Sequence, residues 1–149
     1  MRLLCDEMLA RLARLLRAAG YDTELAEGGE GDTAMLARAK AQARVLVTRD
    51  RELARRAAPG SVLLTETDAV GQAQALAAAL PIDWTLAPFT RCTVDNAVLR
   101  AATAEEVARM EPRARLTGGP FRACPACGRL YWPGSHVKRI RARLEALQA

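Results

Sequence analysis

The sequence predicts an α/β fold: a parallel sheet flanked by helices, then a small cysteine-bearing minidomain and a basic C-terminal helix. Three observations lead there. Residues 1–80 alternate short apolar runs with Ala/Leu/Arg stretches of helical period, the pattern of βαβ units. "VLV" (45–47) and "VLL" (62–64) are apolar without alternation, as in strands covered on both faces. At "LPIDWTLAPF", bracketed by Pro81 and Pro88, the character changes, and from Phe89 onward runs are short and broken by Pro and Gly.

Strands are expected at about 2–5, 22–25, 44–48 and 61–64, and helices at about 7–19, 32–42, 50–58 and 69–80. Leu9, Leu12, Leu15 and Leu16 give the first helix an apolar stripe, Arg11, Arg14 and Arg17 hold its other face, and Gly20 ends it. Short strands separated by such helices imply right-handed crossovers. In the second half, Thr103 and Glu106 have the spacing of a capping box, and "YWPGSH" leads into a basic helix at about 136–147, with Ser135 as its expected N-cap. The division into domains is then 1–82 and 89–149, joined by the proline-bracketed connector.

At 149 residues the chain holds one proper core and an appendage. No apolar run approaches the roughly 18 residues needed to cross a bilayer, and Met1 leads straight into a strand; the expected location is the cytoplasm, away from membranes. Net charge is +5, unevenly spread. Residues 1–88 carry 11 Lys and Arg against 12 Asp and Glu, whereas residues 89–149 carry 11 against 5. An excess of positive charge confined to the last third points to a polyanion partner, although basic surfaces also serve solubility.

Acids stand where packing does not need them. "LLCDE" (3–7), "VLVTRD" (45–50) and "VLLTETD" (62–68) each run from strand into Asp6, Asp50 and Asp68. Ligands of open parallel sheets bind beyond the carboxyl ends of the strands, so these acids should converge on one edge, joined by Asp32 from the start of the second helix. Unpaired carboxylates brought together repel unless a cation lies between them, and an all-oxygen set favours Mg²⁺ or Mn²⁺. Each Asp taken singly also fits a helix N-cap; the coincidence of the set favours the cation. Thr48 is either a hydroxyl for a water or phosphate or a β-branched strand residue. A site of this kind suits phosphodiester hydrolysis.

Rival chemistries are poorly served. His136 is the only histidine, which excludes a two-histidine ribonuclease mechanism. Neither a phosphate-cradling loop nor a dinucleotide fingerprint is present, since "EGGEG" (27–31) lacks the spacing and is itself acidic. Phosphoacceptor domains need a lysine near the last strand, and Lys40 and Lys138 are not placed there.

"CPACG" (124–128) has the spacing of a zinc knuckle, and "CTVD" (92–95) supplies a partner in which Asp95 stands where a second cysteine would complete the set. Cys92, Asp95, Cys124 and Cys127 are the expected Zn²⁺ ligands, with His136 an alternative fourth; the other possibility is a zinc-free ribbon held by packing. Cys5, inside a strand, reads as a small apolar residue. Around the knuckle Arg122, Arg129, Lys138, Arg139, Arg141 and Arg143 interleave with Phe121, Tyr131 and Trp132. Basic groups beside rings on which bases stack serve single-stranded RNA recognition; the same rings also serve as a ribbon core.

With "DEMLARLARLLRAAGYDT", "VLVTRDRELARR", "FTRC" and "CPACGRLYWPGSH" in that order, the chain resembles the PIN-like RNase family named for the C-terminal RNase domain of the Mut-seven exonuclease, from about residue 2 to 140. The resemblance implies a PIN-like α/β nuclease followed by a zinc ribbon, cleaving RNA with Mg²⁺ or Mn²⁺. It also implies that Asp6, Asp32 and Asp50 are the metal-binding acids, with Asp68 a fourth, and that Cys92, Cys124 and Cys127 are ribbon ligands. Asp95 is a departure, standing where the family usually has a second cysteine. The function expected is therefore that of a metal-dependent ribonuclease, with Thr48 and Arg49 orienting phosphate and Arg122, Arg129, Trp132, Lys138 and Arg139 holding single-stranded RNA. The alternative is a non-catalytic RNA-binding or adaptor module built on the same ribbon.

Overall fold

A computed structural model describes residues 1–149. Four parallel strands, β1 (Arg2–Cys5), β2 (Asp22–Leu25), β3 (Val45–Thr48) and β4 (Ser61–Leu63), lie in the order β2-β1-β3-β4. Between them run α1 (Ala10–Ala18), α2 (Asp32–Ala41) and α3 (Arg51–Ala57), and α4 (Ala69–Ala79) follows β4. The expected parallel α/β class is what the chain adopts.

Handedness fixes the layers. The β1 to β2 crossover moves one way along the sheet and the next two move the other way, so right-handed connections put α1 on one face and α2 and α3 on the other. The two cores follow strand alternation. Leu3, Cys5 and Val47 face Leu12 and Leu16 of α1 and Ala73 and Leu76 of α4, while Leu4 and Leu46 face Met35, Ala39 and Leu53. Cys5 is sealed in the first core, where burial pushes its thiol pKa up to about 12, so it packs as a neutral apolar group.

Three expectations change on inspection. The first helix is preceded by a separate 3₁₀ turn, Glu7–Leu9, because Asp6 caps it by accepting from the Glu7 amide at 2.8 Å. Arg17 does not face solvent. It is buried and donates to the carbonyls of Thr23 (2.7 Å), Thr93 (3.2 Å) and Val94 (2.9 Å), tying α1 to the 92–97 loop. β4 is an edge strand rather than one covered on both faces, and Leu63 remains 38% exposed.

The connector is anchored on the core. Trp84 is 1% exposed, its amide donates to Gln148 Oε1 at 2.7 Å, and the Asp83 amide donates to the Tyr21 hydroxyl at 2.8 Å. Gly20 makes room for this crossing: at φ +100° it has no Cβ, and one placed there would lie 2.4 Å from the Ala87 carbonyl oxygen. Beyond it, β5 (Arg100–Ala101), β6 (Arg122–Ala123) and β7 (Leu130–Tyr131) form an antiparallel sheet, with α5 (Ala104–Ala108) and α6 (Pro112–Arg115) inserted between β5 and β6. The Thr103/Glu106 capping box is present at α5. The last helix, α7 (Ser135–Gln148), starts at Ser135 itself, with Gly134 in the N-cap position. α7 returns to the first core, burying Leu144 beside α1 and α4, a contact that stabilises by roughly 1.5–3 kcal/mol.

One polar junction joins the sheet to the second half. Asp22 accepts from Arg44 at 2.8 Å and from Asn96 Nδ2 at 2.7 Å, while Asn96 Oδ1 accepts the Thr23 amide at 2.9 Å, covering the outer edge of β2. Burial alone would raise the Asp22 pKa; hydrogen bonds from Arg44 and Asn96, aided by the charges of Arg44 and Arg91, hold it at about 2. With the folded pKa below the ordinary carboxylate value, this junction stabilises the protein above about pH 4 and fails as pH falls toward 2. Asp22→Asn is therefore expected to lower the melting temperature at pH 7, and the gap to the unsubstituted chain should close below pH 4. Thermal melts across pH 2–7 check this, and a constant gap contradicts it.

Candidate functional site

Two constellations emerge from the fold. The first lies at the carboxyl edge, between β1 and β3, where the strand order reverses and the flanking loops diverge. Asp6 follows β1 and is 5% exposed; its Oδ2 accepts the Thr48 hydroxyl at 2.7 Å. Thr48 ends β3 fully buried, and its Oγ1 in turn accepts the Asp50 amide at 3.0 Å. Asp50 caps α3 through Oδ1, which accepts from Glu52 (2.9 Å) and Leu53 (3.1 Å), leaving Oδ2 without a protein partner at the exposed end of the chain of bonds.

The other acids stand further apart. Asp32 is the first residue of α2 and pairs with Arg56 of α3 at 3.8 Å. Asp68 caps α4, accepting the Gly71 amide at 2.9 Å, on the side of the sheet where α1 and α7 pack. Arg49 is exposed between Thr48 and Asp50. The structure thus links Asp6, Thr48 and Asp50 directly, but no three carboxylates at this edge bring oxygens within 4.8 Å of one another. Asp50 and Asp68 each commit one oxygen to the first amides of their own helix, and Asp32 turns to Arg56.

Glu7 joins this edge although the sequence reading gave it no role. Its Oε2 lies 3.4 Å from the Cβ position of Gly28, in the β2–α2 loop. The signal was present in "CDE", where the second acid adjoins the strand-terminal one.

The second constellation is the cysteine cluster. Cys92, Asp95, Cys124 and Cys127 bring one donor atom each within 4.8 Å of one another. Two turns build it: the Cys124 amide donates to the Arg129 carbonyl and the Gly128 amide to Cys124, while Cys92 and Ala97 close the opposing loop. Cys92 Sγ and Cys127 Sγ are 3.8 Å apart, and Cys124 Sγ lies 3.2 Å from Asp95 Oδ2. Tetrahedral zinc with bonds of about 2.3 Å to sulfur and 2.0 Å to oxygen needs edges of about 3.8 and 3.5 Å, so the set fits such an ion. The cluster could hold a metal such as zinc.

Its surroundings supply groups the sequence reading left unassigned. The Tyr131 hydroxyl donates to Cys92 Sγ at 3.0 Å and accepts the Thr93 amide at 3.2 Å. Burial, then its bond to Cys92, pushes the Tyr131 pKa up to about 12, so it remains a donor. Burial raises Cys124 to about 11, whereas amide and guanidinium hydrogen bonds from Arg129 lower Cys127. Burial alone would raise Asp95, but the Ala97 amide and the neighbouring thiols hold it at about 2. His136 lies outside the cluster, on the wall of the neighbouring groove.

Of the basic residues expected around the knuckle, Arg129, Lys138 and Arg139 are exposed. Arg122 is half-buried and donates to the Phe89 carbonyl at 2.6 Å, and Arg141 lies 5.0 Å over the Phe89 ring. Trp132 is 38% exposed. No helix is long and apolar enough to cross a membrane.

The molecule is of the α/β class, a four-stranded parallel sheet with the buried Asp6 and Thr48 at its reversal point, followed by a cysteine-bearing antiparallel ribbon. A family model described as Mut7-C RNAse domain matches residues 1–144, and the chain belongs to that family. Membership makes it a ribonuclease-type domain, with RNA as the implied substrate. No curated protein and no solved structure matches the chain.

If the cluster holds zinc, Cys124→Ser should lower both the zinc retained per chain and the melting temperature, while Asp95→Cys should raise both. Elemental analysis with parallel thermal melts checks this, and an unaltered melting temperature in Cys124→Ser contradicts a structural ion.

Proposed function

We propose that this protein is a metal-dependent ribonuclease that hydrolyses RNA phosphodiester bonds at the β1/β3 reversal point. The observation carrying the reading is the hydrogen-bonded chain Asp6–Thr48–Asp50, with bonds of 2.7 and 3.0 Å spanning the two central strands. A carboxylate taken almost wholly from water costs several kcal/mol unless its charge is used or compensated. Asp6 has only an amide and a hydroxyl as partners, with no cationic side chain bonded to it.

The oxygen donors suit Mg²⁺ or Mn²⁺. Magnesium ordinarily keeps several waters and takes one or two carboxylates, so widely spaced acids fit it better than they fit a dehydrated ion. Asp6 and Asp50 would hold it, with Asp32, Asp68 and Glu7 reaching through water. When bound, such an ion lowers the pKa of coordinated water and neutralises charge on the phosphoryl oxygens. The chain's own residues do the positioning. Thr48 fixes the Asp6 carboxylate and, through the Asp50 amide, the start of α3; the exposed Arg49 stands ready to orient a phosphate. In this reading residues 1–82 supply the chemistry, and the basic surface of 89–149 holds single-stranded RNA through Arg122, Arg129, Trp132, Lys138 and Arg139.

A second reading has one observation in its favour. Asp50 and Asp68 are both in use as helix caps, as a non-catalytic RNA-binding or adaptor module would retain them.

Asp50→Asn separates the two readings because asparagine caps as well as aspartate while losing the charge. Mg²⁺- or Mn²⁺-stimulated cleavage of single-stranded RNA is expected to vanish with the melting temperature unchanged, and Thr48→Val should slow cleavage about 10- to 100-fold by freeing Asp6. A gel-based cleavage assay reads both. Undiminished cleavage in Asp50→Asn refutes the assigned role, and RNA binding without any metal-stimulated cleavage supports the adaptor reading.

A further inference from the structure

A groove runs between α1 and α7. One stretch, of about 390 Å³, lies between Arg11 and Arg14 of α1, Asp68 at the start of α4, and His136, Ile140 and Arg143 of α7. The next, of about 590 Å³, runs from Arg14 and His136 past Thr93 to Arg129 and Trp132. Arg14, Thr93 and His136 line both, so the two are one continuous furrow. It opens at one end on the carboxyl edge, where Arg11 follows Asp6 by a turn and Asp68 caps α4, and at the other on the exposed Trp132 ring of the ribbon.

Its walls are set by helical period. Arg11 and Arg14 are three residues apart on α1, and His136, Ile140 and Arg143 recur at four and three on α7, so each set shares one face. α7 cannot drift from α1, because Leu144 is locked into the core between α1 and α4. The lining contains four arginines, Arg11, Arg14, Arg129 and Arg143, against a single acid, Asp68. Arg11, Arg14 and Arg143 are exposed and make no ion pair within the chain. The cavity beside β2 is mixed in charge, setting Arg17 and Arg38 against Glu24, Glu27 and Asp95.

We infer that this groove is the track for single-stranded RNA, leading it from a base stacked on Trp132, past Arg14, His136 and Arg143, to the acids at the carboxyl edge. Unpaired guanidinium groups along a furrow match a phosphate backbone, and an exposed indole matches unstacked bases, which only a single strand offers. The inference rests on the ribonuclease reading for the identity of the polyanion, but it concerns binding, not cleavage. It also moves the contact surface away from Arg122, which is occupied within the fold.

The test measures binding of a fluorescein-labelled single-stranded RNA of about a dozen nucleotides to the full chain by anisotropy, with no divalent cation added. The double variant Arg14→Ala/Arg143→Ala should weaken binding about tenfold or more and flatten the plot of log Kd against log salt by about 1.4, at about 0.7 for each phosphate contact. Arg109→Ala/Arg115→Ala removes the same charge from exposed positions outside the groove and should change Kd less than twofold. RNA should quench the emission of Trp132 and not that of buried Trp84, so the quenching should be absent in Trp132→Phe. Equal effects of the two double variants, or none, overturn the inference, as does an acidic peptide that competes as well as RNA of the same charge. Because no cleavage enters the measurement, failure of Asp50→Asn to abolish cleavage leaves the groove standing, and an unchanged Kd in the groove variant leaves the cleavage site standing.

Discussion

A buried carboxylate between the two central strands is the constraint around which this fold is arranged. Asp6 emerges at the point where the chain, having crossed to β2, must return past β1 to β3, so it lies where backbone loops separate and packing leaves a crevice. The Thr48 hydroxyl satisfies one of its oxygens, and the next residue but one offers its amide to that same hydroxyl. Strand β3, the start of α3 and the end of β1 are therefore registered against one another by a polar chain inside a site that apolar packing would otherwise fill. Removing the Thr48 hydroxyl leaves the buried Asp6 Oδ2 without its partner, which costs about 1–3 kcal/mol.

Outward from that chain, electrostatics divide the molecule. Residues 1–88 are nearly balanced in charge, 11 basic against 12 acidic, while the last third carries the positive excess. A positive excess confined to one part of a molecule attracts polyanions to that part. The cysteine cluster belongs to that last third and is braced by Arg17 reaching from α1 and by Asn96 reaching to Asp22. It sets the position of the basic surface relative to the sheet.

Much of this was legible in the sequence, and the exceptions are instructive. The strands, their parallel pairing and the four-residue donor set Cys92, Asp95, Cys124 and Cys127 follow from period and spacing, which are local properties, whereas the strand order does not. Arg17 was misplaced because period alone assigned it to a solvent face; the 92–97 loop that buries it lies more than seventy residues away in sequence. The exposure of Leu63 escaped for a related reason, since an apolar run does not say whether another strand will follow at the sheet's edge. The sequence expects four acids to converge, but where Asp50 and Asp68 point depends on the helix amides that each of them caps, and Asp32 lies inside α2 beside Arg56; these are matters of backbone geometry. Trp84 looked like part of a spacer because prolines bracket it, whereas its indole fills the core.

That indole has a mechanical corollary. The Trp84 amide is held by Gln148 at the far end of α7, so the chain leaves for the ribbon after Phe89 and returns along α7 to the same core. The ribbon is thus suspended as a closed handle with both feet on the face of the sheet covered by α1 and α4, and its swing relative to α1 is small. A protease nick at the exposed Leu116 would open the handle without detaching either foot, and the fragments would travel together until the protein is denatured.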